Sequence, residues 1–211
     1  MTNPTTDREQ RPVSGIRAVV LNDFGRLLIT QGEEESLIVE TDAQMLPNVQ
    51  SEVIDGRLEL GMNRSWSERV ANSFTLRHVA YHLTVRQLES IELKGIANLE
   101  MHNYTGGKLE ITSRGHITIR IDRLQLEKLT GSFHWASTVS ISGSVREQEI
   151  TLSGTSKYSA GNLVSQRAAL SLLDESHAEM QVEQSLAIER SGDASVQYHG
   201  NPQISMRETG A

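Results

Sequence analysis

Apolar and polar residues alternate along most of this chain. Leu58-Glu-Leu60, Ile91-Glu-Leu93, Ile117-Thr-Ile119-Arg-Ile121, Val139-Ser-Ile141, Ile150-Thr-Leu152 and Leu170-Ser-Leu172 each place an apolar side chain at every second position. A strand points successive side chains to opposite faces, so these runs predict short, half-buried strands. Helical periodicity is scarce. The strands also recur. One unit has an apolar pair at i and i+2, small or polar residues between, and a second pair at i+8 and i+10. The units are Ile91/Leu93 with Leu99/Met101, Leu109/Ile111 with Ile117/Ile119, and Gly131/Phe133 with Val139/Ile141. They continue as Ile150/Leu152 with Tyr158/Ala160, Leu170/Leu172 with Ala178/Met180, and Leu186/Ile188 with Ala194/Val196. A seventh begins at Ile204/Met206. Of the 24 inward positions in the six full units 23 are apolar, against 37% for the whole chain, so the pattern is not composition showing through.

Six residues into the units come Ala97, Gly115, Ser137, Ser156, Ser176 and Gly192, all small, as a tight bend requires. A unit of about 19 residues with two strands and a bend reads as one rung of a β-solenoid. One rung cannot bury its inner face, but stacked rungs can, at about 4.8 Å spacing in parallel pairing. The fold class expected is all-β: a parallel β-helix or solenoid, right-handed by the general chirality of such connections. Residues 14–85 use the same materials less regularly and read as opening strands that cap the first rung; residues 86–211 are the regular rungs. Val53-Ile-Asp-Gly-Arg-Leu58 predicts a hairpin on a type I′ turn. Met45–Val49 reads as a short loop, and Gly61–Asn72 as a polar surface loop. Residues 1–13 are polar, with two prolines, and predict a disordered lead. The truncated last rung predicts an open edge at Ile204–Arg207, covered by the tail or by a partner chain, which makes this edge a candidate for homo-oligomer formation.

Composition then narrows the chemistry. The chain of 211 residues has no cysteine, which excludes disulfides, thiol nucleophiles and thiolate metal sites. Its net charge of −7 argues against nucleic acid as a partner, because phosphate contacts need clustered Lys and Arg. No run approaches 18 apolar residues, so no membrane span is expected, and the N-terminus as it stands carries no secretory signal.

Most of the chain, roughly Gly15 to Gly210, resembles a known bacterial family. Gly15-Ile-Arg-Ala-Val-Val-Leu-Asn-Asp-Phe-Gly-Arg-Leu-Leu-Ile-Thr-Gln-Gly32, Ser36–Asp42 and Val79–Gly95 are similar to the putative auto-transporter adhesin, head GIN domain. So are Leu152-Ser-Gly154, the worn turns Arg190–Asp193 and Thr112–Gly115, and the closing Val196–Ile204. The resemblance implies a right-handed β-helix-like fold, usually in exported or envelope proteins, with an adhesin-like role; the long flat sides of such a solenoid suit protein or glycan surfaces as partners more than a deep catalytic pocket. It carries no catalytic residues and no cofactor.

Several side chains are candidates for chemistry. His78 and His82 have the i, i+4 spacing of helical metal ligands, but a strand would hold them about 13 Å apart, too far to chelate together. Asn98, His116, Thr138, Lys157, His177 and Asp193 precede the second pairs, so Lys157, His177 and Asp193 should form an outward ladder. That ladder is either a His–Asp acid–base or metal site or a solvated surface. Glu92 and Glu110 share an outward column by the same reasoning and raise a polysaccharide-acting enzyme as an alternative. Trp135 interrupts a bend column read as Gly95, Ser113, Gly154, Asp174 and Arg190. With His134 it makes an aromatic spot for a sugar or protein, or else it folds over its neighbours to cover the gap at Gly131. The candidate binding surface is therefore His134, Trp135, Lys157, His177 and Asp193, and no catalytic or metal residue is assigned. Glu33-Glu-Glu35 reads as a solvated turn in which calcium is conceivable. An intracellular self-associating scaffold is the remaining alternative.

Overall fold

The structure is a computed structural model and describes residues 6–63 and 78–208. Its strands join one 14-stranded sheet that winds into a β-solenoid with rungs of about 20 residues. The opening strands are β1 (Thr6–Arg11), β2 (Ala18–Leu21), β3 (Phe24–Gln31), β4 (Ser36–Asp42), β5 (Val49–Ile54), β6 (Arg57–Met62) and β7 (Val79–Val85). The long strands β8 (Ser90–His102), β9 (Thr105–Trp135), β10 (Thr138–Leu152), β11 (Lys157–Leu172) and β12 (His177–Arg190) carry the regular rungs. The short β13 (Ser195–His199) and β14 (Gln203–Glu208) close the stack.

The opening rung is buried in the stack. β2 and β3 pair parallel with the two halves of β8, through Val19↔Ile91 and Leu27↔Leu99. On their other side lie later segments, β6 on β2 and β7 on β3, also parallel. β5 then runs antiparallel on β6, and β4 antiparallel on β7. The opening strands thus lie at the end of the stack, before β8. The predicted hairpin is present: Asp55 and Gly56 have φ 51° and 79°, the left-handed pair a type I′ turn requires. Met45–Val49 contains one 3-10 turn, Leu46–Asn48.

Two expectations change here. Thr6–Arg11 is not a disordered lead but the strand β1, antiparallel on β4 from Thr6↔Asp42 to Arg11↔Leu37. Apolar patterning could not reveal it, because β1 buries no apolar face. The unpaired backbone of β4 recruits it, an ion pair of Arg8 with Glu40 at 2.8 Å assists, and its alternating charges suit an outermost edge. Of the loop expected over Gly61–Asn72, Gly61 and Met62 are buried in β6, and the part from residue 64 lies outside the described residues.

Each regular rung has three walls rather than two. The first wall stacks Ile91, Ile111, Gly131, Ile150, Leu170, Ile188 and Met206. The second stacks Leu99, Ile119, Val139, Tyr158, Ala178 and Val196. The third buries Leu109, Leu124, Leu126, Leu129, Val145, Leu163 and Val182. Three of the seven units were read two residues out of step: Ile111, not Leu109, stands opposite Ile91, Ile188, not Leu186, opposite Leu170, and Met206, not Ile204, opposite Ile188. A two-residue slip keeps the same side chains inside, so apolar alternation alone cannot detect it.

The inner columns form one aliphatic core, in which each fully buried Leu or Ile contributes roughly 1.5–3 kcal/mol of transfer free energy. The gap at Gly131 is filled from within. A Cβ there would lie 2.5 Å from the ring of Phe133, which stacks on Tyr158 at 5.9 Å. Burial raises the pKa of the Tyr158 hydroxyl, which donates to Gln148 at 2.9 Å; the Gln148 amide donates to Ser165 at 2.8 Å, and Ser165 to the Gln181 carbonyl. This buried polar chain ties the second wall to the third. At the other end, Tyr198, Ile204 and Met206 occupy inward-facing columns of the last rung, yet are 39%, 44% and 50% exposed. No described residue covers them.

Candidate functional site at the first corner

The corner between the first and second walls is built from a repeated tetrapeptide. Its copies are Asp23-Phe-Gly-Arg26, Gly95-Ile-Ala-Asn98, Gly115-His-Ile-Thr118, Trp135-Ala-Ser-Thr138, Gly154-Thr-Ser-Lys157, Asp174-Glu-Ser-His177 and Gly192-Asp-Ala-Ser195. The first residue of every copy has positive φ, between 61° and 141°. That conformation turns its carbonyl along the stack. The second residue of the next rung donates to it: Ile96 to Asp23 at 2.8 Å, Ala136 to Gly115 at 3.3 Å, Thr155 to Trp135 at 2.7 Å and Glu175 to Gly154 at 3.1 Å. The third residue is small or aliphatic and faces inward; Ser137, Ser156 and Ser176 are fully buried there. Ser137 is bonded to Ser113 at 2.7 Å.

Glycine belongs at the first position for a steric reason as well. A Cβ at Gly95 or Gly115 would lie 2.0 Å from the carbonyl oxygen of the preceding rung. Where another residue occurs, its neighbours make room. Asp23 and Asp174 use their short carboxylates on backbone, accepting from Met62 at 3.2 Å and Gly154 at 2.7 Å. Asp tolerates the left-handed region through such local bonds.

Trp135 has no such compensation. It holds φ 73° with a bulky side chain, a conformation that costs about 1–2 kcal/mol. Its side chain makes no hydrogen bond among the described residues, and it is 68% exposed, between the bare positions Gly115 and Gly154. It therefore does not cover Gly131, whose space Phe133 already fills. Two other exposed apolar side chains share this corner, Ile96 at 49% and Leu173 at 40%. They sit two rungs to either side, about 10 Å each way. Together they form a ridge roughly 20 Å long.

The five candidate residues of the binding surface all lie on this corner. His134 precedes Trp135, and its Nδ1 lies 2.7 Å from Ser153 Oγ. Lys157 stands opposite His177, as expected. The next position is Ser195, not Asp193: His177 Nδ1 lies 2.9 Å from Ser195 Oγ. Asp193 is instead the second residue of its bend, in line with Ile96 and His116, so the expected Lys157–His177–Asp193 ladder does not form. The column above Lys157 runs Asn98, Thr118, Thr138, and His116 pairs with Ile96. The bend column also changes. Its members are Gly95, Gly115, Trp135, Gly154, Asp174 and Gly192; Ser113 and Arg190 lie two residues earlier in their rungs.

The remaining candidates take structural roles. Glu92 faces Thr112 and Glu110 faces Ser90, so the two carboxylates do not share a column. Burial pushes the Glu92 carboxyl up, but hydrogen bonds from Lys94 and Arg57 outweigh it and leave the pKa below the ordinary value, the opposite of a general acid. His82 lies in the strand β7, 3.1 Å from Glu40, and His78 just precedes that strand. Glu35 accepts from the backbone N–H groups of Gly15 and Ile16, which makes it a loop clamp. An open groove of about 1310 Å³ adjoins this loop and is lined by Arg17, Glu33–Glu35 and Arg86. Among the described residues no group of three or more His, Asp or Glu is arranged to hold a metal ion. No described helix is long and apolar enough to cross a membrane.

A family model described as "Putative auto-transporter adhesin, head GIN domain" matches residues 17–202. The chain belongs to this family. No curated protein matches it in sequence. Solved structures share its fold. A putative adhesin from Bacteroides fragilis NCTC 9343 superposes with a TM-score of 0.88 at 20% identity, covering 99% of this chain and 95% of that one. A putative lipid binding protein from Parabacteroides distasonis ATCC 8503 gives 0.72 at 14% identity, covering 99% and 95%. A putative adhesin from Parabacteroides merdae ATCC 43184 gives 0.71 at 13%, covering 99% and 94%. At these identities the likeness is one of fold.

Proposed function

We propose that this GIN-family solenoid is a non-catalytic, adhesion-type binding module of bacteria and that its contact surface is the first corner. The supporting observation is Trp135: an exposed indole held in a strained backbone conformation, at a position where every other rung carries Gly or Asp. The inter-rung bond to the Trp135 carbonyl needs the left-handed backbone but not the indole, and such backbone strain clusters at functional sites. Tryptophan also supplies large contact area at small entropic cost. The experiment is retention on arrayed glycans and host-surface proteins by the wild type and by Trp135→Gly. The expected result is a retained ligand lost in the variant. Equal retention of every ligand by both proteins contradicts the reading.

A second reading, self-association into a scaffold, is favoured by the last rung, which no described residue covers. Tyr198, Ile204 and Met206 present apolar side chains beside the free backbone of β13 and β14, and such edges template strand addition. Light scattering should give a dimer mass that falls to monomer with Ile204→Lys. A concentration-independent monomer removes this reading. So does fast amide exchange of β14 in the wild type.

A further inference from the structure

The first corner carries unpaired positive charge around Trp135 as well as apolar surface. Arg114 precedes Gly115, the rung neighbour of Trp135 on one side. Lys157 follows Gly154, the rung neighbour on the other, by three residues. Both are exposed, and neither makes an ion pair or side-chain hydrogen bond among the described residues. Elsewhere five cations are matched across rungs, Arg26 to Glu100, Arg57 to Glu92, Lys128 to Glu149, Arg167 to Glu147 and Arg190 to Glu208, whereas Lys108, Arg123 and Arg207 are as unpaired as these two among the described residues but have no exposed tryptophan beside them. Of the carboxylates further down this corner, Asp174 is engaged by the Gly154 N–H, and Glu175 lies two rungs from Trp135. The corner therefore combines an exposed indole, bare glycine positions on either side of it, and two uncommitted cations, Arg114 on the rung before it and Lys157 on the rung after it and three residues further along the second wall.

We propose that this corner takes a carboxylated sugar, a uronic or sialic acid residue, rather than a neutral one. The indole lies against the C–H face of the ring, and the carboxylate is held by Arg114 or Lys157. The flat, unobstructed approach left by Gly115 and Gly154 suits a pyranose ring, and guanidinium and ammonium groups are the natural carboxylate donors. The proposal rests on the ridge reading above and specifies its ligand.

The test uses the emission of Trp135 as reporter. The other tryptophan, Trp66, is replaced by Phe in the full chain. Titration with trigalacturonate and with 3′-sialyllactose is compared with maltotriose, lactose and pentaglutamate. The expected result is a saturable emission change with at least one of the two carboxylated sugars. It should be at least tenfold weaker with the neutral sugars and with the Arg114→Gln/Lys157→Gln double variant, and should fade as salt is raised. Neutral sugars binding as tightly as acidic ones, or a double variant that binds unchanged, overturns the ligand class but leaves the ridge standing. Pentaglutamate binding with no response to either sugar also overturns it, in favour of an acidic peptide. No emission change with any probe overturns this proposal; the ridge reading is decided separately, by retention of Trp135→Gly on the arrays.

Discussion

Two corners of the same solenoid obey different rules. At the first, between walls one and two, the bend residues Gly95, Gly115, Trp135, Gly154, Asp174 and Gly192 recur every 20, 20, 19, 20 and 18 residues, with the same φ sign and the same inter-rung hydrogen bond where one forms. Between wall two and the next wall one, the pairing slips at Ser140/Ser142, Ile141/Gly143, Ala160/Val164 and Ser165/Arg167. Length variation is absorbed along the third wall, where bulges re-aim the chain. The first corner admits no variation of length, because its carbonyls must meet the next rung. A residue that breaks its composition is therefore conspicuous, and Trp135 is that residue.

The contrast can be broken at several points. The largest effect is expected in the first wall, just before the corner. Phe133→Ala removes the ring that fills the Gly131 space and stacks on Tyr158, and should cost about 3–5 kcal/mol in denaturant unfolding. Gly115→Ala places a methyl group 2.0 Å from the Gly95 carbonyl at φ 141°; the same measurement should show a loss of about 2–3 kcal/mol, and a loss below about 0.5 kcal/mol would refute the close approach of the rungs. A smaller effect sharpens the comparison directly. One glycine inserted after Asn162, on the variable side, should cost under about 1 kcal/mol, whereas the same insertion after Gly154 should cost severalfold more.

The smallest effect is electrostatic and lies on the second wall. The Arg26 hydrogen bond holds the Glu100 carboxyl below its ordinary pKa, against a modest upward push from burial. The folded value lies below the unfolded one, so the stabilisation is in place above about pH 4.3 and is lost as pH falls through the folded value. For so exposed a pair it is about 0.2–1 kcal/mol. Glu100→Gln should lower the midpoint of thermal unfolding slightly at pH 7 and not at pH 2.

Much of this architecture is legible in the sequence. The inner pairs of the first two walls, the small bend residues and the Asp55-Gly56 hairpin all follow from alternation and turn chemistry. The third wall does not, because its inward residues, such as Leu124, Val145 and Leu163, shift against the repeat at every bulge. β1 is silent because backbone pairing, not apolar burial, holds it. The candidate surface was legible as a cluster, since His134, Trp135, Lys157 and His177 all flank the bend. The partner of His177 was not. Alternation leaves a two-residue ambiguity, which only the left-handed bend residues resolve, and they set Ser195 beside His177 in place of Asp193.

The central claim is that Trp135 is kept for what it touches outside the molecule and not for the fold. Thermal unfolding of Trp135→Gly tests it most directly. Glycine relieves the left-handed strain but loosens the unfolded chain, and these effects are of similar size, so the unfolding temperature should be unchanged or higher. A fall of several degrees would show that the indole packs on the solenoid and holds it together, and would contradict the account.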